Sequence, residues 1–274
     1  VLALSAACTL AACATSQPQQ QATPSADQVA LQQVAPGVAA NVVQPTADPS
    51  GVIVLLVPGG GWVSADPSGL APLAAYLADR GATVVSISYR TSSDGFYFPV
   101  PVQDVGCGLA YAATQAAGVS TDAVTLAVVG HSAGAHLAAV AALDPEQSTG
   151  PDCPFQPHDA DSLIGLAGPY DVVAASGQAQ LLFGPESPDP TEWDDGNPLR
   201  MATNRPTLPV LLVHGAADDL VPLSFSEEFA AALTAGGHPV ELQVVDAVDH
   251  MSVFGEDVAG PLIADWLGLA APSP

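Results

Sequence analysis

The sequence predicts an α/β fold with a mostly parallel central sheet flanked by helices, on two observations. From about residue 38 onward, short apolar runs rich in β-branched residues alternate with Ala- and Leu-rich stretches at helical spacing. That alternation marks a parallel sheet covered by helices on both faces. The chain also has 274 residues, 49% hydrophobic and 12% charged, enough to bury one large core and too apolar for a disordered polyelectrolyte. α/β folds run to about 250 residues as one unit, so residues 37–271 are read as a single domain.

In chain order, strands are expected at 52–57, 83–88, 124–129, 162–166, 210–214 and 240–245. Each run is short and nearly continuously apolar, as a strand buried on both faces should be. Helices are expected at 70–79, 102–117, 133–143, 224–235 and 258–267, where Ala and Leu recur at helical spacing. Between the fourth and fifth strands, about residues 171–205, lies an insertion bearing Pro, Asp, Phe183 and Trp193. Long insertions inside compact domains are usually functional, and this one is read as a small lid or substrate wall. No internal repeat is visible.

The start of the chain reads as an address. Residues 1–12 are small, apolar and uncharged, like the apolar core of a signal peptide, although the usual basic start is missing. Leu10-Ala11-Ala12-Cys13 resembles the bacterial lipobox, in which a diacylglycerol is attached to the cysteine thiol before cleavage. Residues 13–36 then form a lipidated Cys13 and a Gln-, Ser- and Pro-rich flexible tether. The expected location is therefore extracytoplasmic, in a bacterial cell envelope or secreted. In an oxidising compartment the two remaining thiols, Cys107 and Cys153, are expected to pair.

Charge excludes whole classes of partner. Against 28 Asp and Glu stand four cations, all arginine, for a formal net charge of −24. No basic patch can be built from Arg80, Arg90, Arg200 and Arg205, so no nucleic acid is expected as a partner. Direct docking on anionic lipid is disfavoured equally, leaving the N-terminal lipid as the expected membrane contact. The mean hydropathy is +0.33, yet no run of about 18 apolar residues is present to span a bilayer.

The sharpest chemical signal is Gly130-His131-Ser132-Ala133-Gly134, placed between an expected strand and an expected helix. It matches the G-x-S-x-G nucleophile elbow in its required context: a tight, strained turn lifts the serine hydroxyl above the sheet edge. The N–H of Ala133 would then point at the reacting oxygen. Upstream, Pro58-Gly59-Gly60-Gly61-Trp62 follows the first strand. Glycines there let backbone N–H groups approach a ligand closely, as an oxyanion hole requires.

With these motifs the chain resembles the α/β-hydrolase superfamily, specifically the HGGGW-bearing esterases related to hormone-sensitive lipase and kynurenine formamidase. Pro58 stands where those proteins carry the leading histidine. The resemblance implies oxyanion donors at Gly60, Gly61 and Ala133 and the chain order Ser, acid, His. His250, in Asp249-His250-Met251-Ser252, fits the base, and Asp218, in His214-Gly215-Ala216-Ala217-Asp218-Asp219-Leu220-Val221-Pro222, fits the acid. Asp219 should face away, with Asp246 and Asp249 as remote alternatives. His214 is read as a loop organiser, and His158 and His238 as surface residues. Arg90 is expected to pair with Asp104 and hold a loop. Trp62, His131 and Tyr170 are the candidate pocket residues.

The resemblance implies a serine carboxylic-ester hydrolase that takes a small-molecule ester and needs no cofactor or metal. An arylformamidase shares the same machinery, and so does a prolyl-type peptidase, although the chain is too short for that enzyme's propeller. A catalytically silent envelope binding protein is the alternative from another class. The sequence leaves oligomeric state and acyl preference open.

Overall fold

The computed structural model describes residues 30–46, 48–116, 124–190 and 193–271. The expected signal segment 1–12, Cys13 and most of the tether lie outside the described residues. Eight strands form one sheet in the order β1 (Gln32–Ala35), β2 (Val38–Val43), β4 (Thr83–Ile87), β3 (Val52–Val57), β5 (Thr125–His131), β6 (Ser162–Leu166), β7 (Val210–Gly215) and β8 (Val240–Val245). β1 and β2 are antiparallel to their neighbours, and every pairing from β4 through β8 is parallel.

Alternation along the buried strands sorts side chains onto two faces. Ile53, Leu55 and Val57 of β3 face α2 (Val100–Thr114), α3 (Ala133–Leu143) and α5 (Ser224–Gly236). Val54 and Leu56 face α1 (Ala71–Ala78) and α6 (Ala259–Trp266). The two-face burial inferred from the apolar runs holds for β3 through β7, but not for β8. Its Val-Glu-Leu-Gln-Val-Val is an edge strand, with Val244 43% exposed and Glu241 and Gln243 outside the core.

Three elements went unread in the sequence. The expected tether ended at 36, yet Gln32–Ala35 already pairs with β2 through a turn at Pro36-Gly37, where Gly37 has φ 79°. The Gln33 side-chain amide donates to the carbonyls of Ala35 and Val38. Two glutamines that read as solvated spacer thus close a hairpin. The third element is α4 (Ser176–Phe183), inside the insertion.

That insertion sends part of its length into the core. Phe183 stacks on Trp193 at 4.4 Å and 7°, and packs against Phe98 at 5.2 Å. Trp193 is 1% exposed. Burying two large aromatic rings draws the segment against the sheet, where an uncovered lid would leave them in water.

Arg90 lies at the end of β4 and grips Asp104 of α2 through two guanidinium nitrogens, the shorter contact at 2.6 Å, while its backbone N–H donates to the same carboxylate. Cys107 of α2 and Cys153 are joined in a disulfide with Cα atoms 5.5 Å apart. A cavity of about 160 Å³ lies beside it. The other arginines are also engaged. Arg80 lies 3.4 Å over the Tyr76 ring, Arg200 pairs with Asp194 at 3.5 Å, and Arg205 donates to the carbonyls of Ala142 and Ala160.

Candidate active site

Four parallel strands deliver the candidate residues to one edge of the sheet. Beyond the carboxyl ends of β3, β5, β7 and β8 lie the glycine loop, Ser132, Asp218 and His250 in turn. Open parallel sheets place ligand sites at this edge.

Ser132 sits between β5 and α3 with φ 54° and ψ −123°, a conformation side chains rarely adopt. The turn closes so tightly that a Cβ on Gly130 would stand 2.3 Å from the Gly134 carbonyl oxygen, and one on Gly134 2.4 Å from those of Val57 and Pro58. Both flanking glycines are therefore steric necessities. Ser132 N–H donates to Leu166 O at 2.8 Å and ties the turn to β6. Ala133 opens α3, so its N–H belongs to the first helical turn, which has no intrahelical acceptor.

The Ser132 hydroxyl lies 2.9 Å from His250 Nε2, and His250 Nδ1 lies 2.7 Å from Asp218 Oδ2. A carboxylate only accepts, so Nδ1 carries the ring proton and leaves Nε2 as the acceptor facing the serine. Asp218 Oδ1 accepts the N–H groups of Leu220 and Val221 at 2.9 and 2.8 Å. Burial alone raises the Asp218 carboxyl, but the Val221 N–H, the His250 ring and the Leu220 N–H together bring it below the ordinary carboxylate value. Asp219 is exposed, one residue on. Asp249 caps its own turn, accepting the N–H groups of Met251 and Ser252. His214, fully buried, spans from Ser226 Oγ at 2.7 Å to Val221 O at 2.9 Å, and its Nε2 is 3.3 Å from Asp218 Oδ2. Burial lowers its pKa, so it braces the acid loop as a neutral ring.

The glycine loop faces the serine. A Cβ on Gly59 would come within 3.0 Å of Ser132 Cβ, and one on Gly60, at φ 135°, within 2.3 Å of Ser64 O. The Tyr89 hydroxyl donates to Pro58 O at 3.0 Å and holds the loop from β4. Around Ser132 opens a cleft of about 340 Å³, walled by Gly60, Gly61, Leu70, Leu220, Met251 and Phe254.

Of the three expected pocket residues, His131 lines this cleft. Trp62 and Tyr170 do not. Trp62, at φ 61°, is turned inward, and its indole N–H points at His136 Nδ1, 3.4 Å away. His136 in turn donates from Nε2 to Gly196 O at 2.8 Å, and burial depresses its pKa to about 4. Tyr170 is fully buried behind β6, stacked on Phe229 at 4.4 Å. The insertion supplies none of the described lining residues. His238, expected at the surface, is 5% exposed with Nδ1 on Leu208 O, because the residues after α5 fold back on the strand entry.

A parallel sheet with an elbow serine, a histidine and a buried aspartate on its carboxyl edge defines an α/β-hydrolase. Within that class the chain belongs to the BD-FAE family, an α/β-hydrolase esterase family, whose profile matches residues 42–233. It is 27% identical over 219 residues to a probable isoprenylcysteine alpha-carbonyl methylesterase of Oryza sativa subsp. japonica, covering 75% of this chain and 53% of the relative. With the probable carboxylic ester hydrolase LipM of Mycobacterium tuberculosis it shares 29% identity over 210 residues, covering 69% of this chain and 47% of the relative. The chain thus spans about half the length of these relatives. Among solved structures, the butyrate-bound thermophilic esterase Est2 of Thermogutta terrifontis superposes with a TM-score of 0.68 at 21% identity, covering 86% of this chain and 92% of that one. A truncated carbohydrate esterase from gut microbiota gives 0.69 at 21% identity, covering 84% and 90%.

Proposed function

We propose that the chain is a serine carboxylic-ester hydrolase for short-to-medium acyl esters. One observation carries the reading: the unbroken hydrogen-bond line from Ser132 Oγ through His250 to Asp218, opening on a cleft with an apolar wall. Membership of an esterase family supports it.

In this mechanism Ser132 Oγ attacks the ester carbonyl carbon while its proton passes to His250 Nε2. Asp218 holds the ring in the required tautomer and stabilises the imidazolium. The N–H groups of Gly60, Gly61 and Ala133 receive the oxygen as it becomes negative. Collapse of the tetrahedral intermediate expels the alkoxide, which takes the proton from His250. Water then repeats the sequence on the acyl-enzyme, returning Ser132 and releasing the acid.

A fluorophosphonate probe tests the reading, because it bonds to an activated serine and to no resting one. Labelling of the wild type and none of Ser132→Ala is expected, together with turnover of p-nitrophenyl acetate and butyrate. Failure to label, with no turnover across the ester panel, would overturn it. The envelope location is likewise proposed, from the lipobox-like Leu10-Ala11-Ala12-Cys13. Full-length protein should fractionate with membranes and Cys13→Ala with the medium; equal release of both refutes the anchor.

A further inference from the structure

His131 is the residue between Gly130 and the serine, and the proposed mechanism gives it no task. It is 6% exposed and lines the cleft. Its ring lies against two others, with centroids 4.9 Å from His250 and 4.5 Å from Phe254. Its Nε2 is 3.0 Å from the main-chain oxygen of His250. A carbonyl oxygen only accepts, so Nε2 of His131 carries the proton and donates.

The loop that presents His250 is fixed on either side of that carbonyl. Before it, Ala217 N–H donates to Val248 O at 2.9 Å; after it, Asp249 closes the turn onto Ser252. The His250 side chain is held by Asp218. Its own peptide carbonyl is held by His131, which shares a turn with the nucleophile.

We propose that His131 is a positioning residue that sets the general base in register with the serine, by donating Nε2–H to the His250 carbonyl. One backbone turn thereby fixes both reaction partners: Ser132 directly, and His250 across a single hydrogen bond. The arrangement demands a neutral donor, because a second cation beside His250 would oppose the imidazolium that forms during acyl transfer. Burial, together with the neighbouring His250 ring, depresses His131 to about 3 and keeps it neutral.

The inference rests on the esterase reading, and its test separates the two. His131→Phe keeps a ring against Phe254 and loses the donor; His131→Gln restores an N–H at a reach close to that of Nε2. With p-nitrophenyl acetate, His131→Phe should lose roughly 10- to 100-fold in kcat, as misplacement of a reacting group by an ångström does, with KM nearly unchanged. His131→Gln should recover most of that loss. The downfield proton resonance of His250 Nδ1 should shift or broaden in His131→Phe and return in His131→Gln. Thermal melts confirm folding, and His131→Asn, polar but too short to reach the carbonyl, replaces the Phe variant if that one does not fold. Wild-type kcat in His131→Phe, or equal losses in the Phe and Gln variants, would overturn the role. If the wild type turned over no ester and took no fluorophosphonate, the esterase reading would fail alone, and the Nδ1 resonance would still decide whether His131 holds His250.

Discussion

The cleft around Ser132 and the cavity beside the Cys107–Cys153 disulfide are two hollows of the same fold with opposite chemistry. In the cleft, about 340 Å³, polar side chains converge: the Ser132 hydroxyl and the His131 and His250 imidazoles line one space beside the glycines of the β3 loop. The backbone there is held away from its preferred conformations, with Ser132 at φ 54° and Trp62 at 61°. In the smaller cavity, about 160 Å³, the polar groups turn back on their own backbone. Ser148 Oγ and Thr149 Oγ1 both donate to Pro145 O at 3.0 Å, and His158 Nδ1 rests on Asp159 O at 2.9 Å. A hollow whose polar groups turn back on their own backbone is a packing consequence, whereas one where a hydroxyl, an imidazole and a carboxylate from distant segments are linked to one another, at the cost of backbone strain, has the makings of a site.

Substitutions should break this comparison unequally. The largest effect belongs to Ser132→Ala, expected to lower kcat by at least about 10³-fold with the thermal midpoint little changed; a steady-state assay beside a melt checks it. Asp218→Asn should cost about 10²- to 10⁴-fold, because the amide can hold the wrong tautomer of His250, while exposed Asp219→Asn should leave kcat near the wild-type value. Equal losses would place the acid elsewhere. Around the disulfide, the signature should be reversed. Cys107→Ala with Cys153→Ala removes a cross-link over a sequence separation of 46, worth about 4 kcal/mol in the chain-entropy model. A fall of roughly 8–16 °C in Tm with kcat essentially intact is expected, and calorimetry with the ester assay reads both.

Acid should act more gradually than any of these substitutions. His131 and His136 are held neutral by burial, titrating at about 3 and about 4 in the folded chain. An unfolded histidine takes its proton near 6.5. Their contribution is therefore complete above about pH 6.5 and erodes as pH falls toward those lower values, by up to roughly 1.4 kcal/mol per pH unit for each ring. Asp218, held below its ordinary value, adds a loss in the same direction at lower pH. Neutralising part of the −24 charge works the other way by relieving repulsion. Melts between pH 7 and 4.5 should show a net decline, flatter in His136→Gln, whose side chain does not titrate.

What could be read from the sequence follows the range over which each feature is determined. The Ser132 turn announces itself within five residues, because Gly130 must clear the Gly134 carbonyl, while Gly134 answers to the more distant carbonyls of Val57 and Pro58; the motif was legible, the second reason for it was not. Asp218 and His250 needed a known chain order, and their meeting place on the sheet edge follows once the parallel strands are placed. Orientation behind the backbone was not legible. Nothing local says that Trp62 turns inward to His136 or that Tyr170 packs on Phe229. Gln32 and Gln33 carry no strand signal, and only the neighbouring β2 makes a strand of them. The Phe183 and Trp193 segment read as a cover because its composition is broken by Pro and Asp, yet the stacking of those rings sends it into the core.

The arginines have a consequence for how the chain meets a protease. The sequence contains no lysine and four arginines, so a trypsin-like protease is offered four peptide bonds. Arg205 is followed by proline, which blocks cleavage there. Arg80 is laid over Tyr76 and Arg90 is clamped on Asp104, so each side chain must leave its partner before it can enter a specificity pocket. Arg200, 66% exposed, is left as the vulnerable position, and digestion of the native protein should begin at the bond between it and Met201.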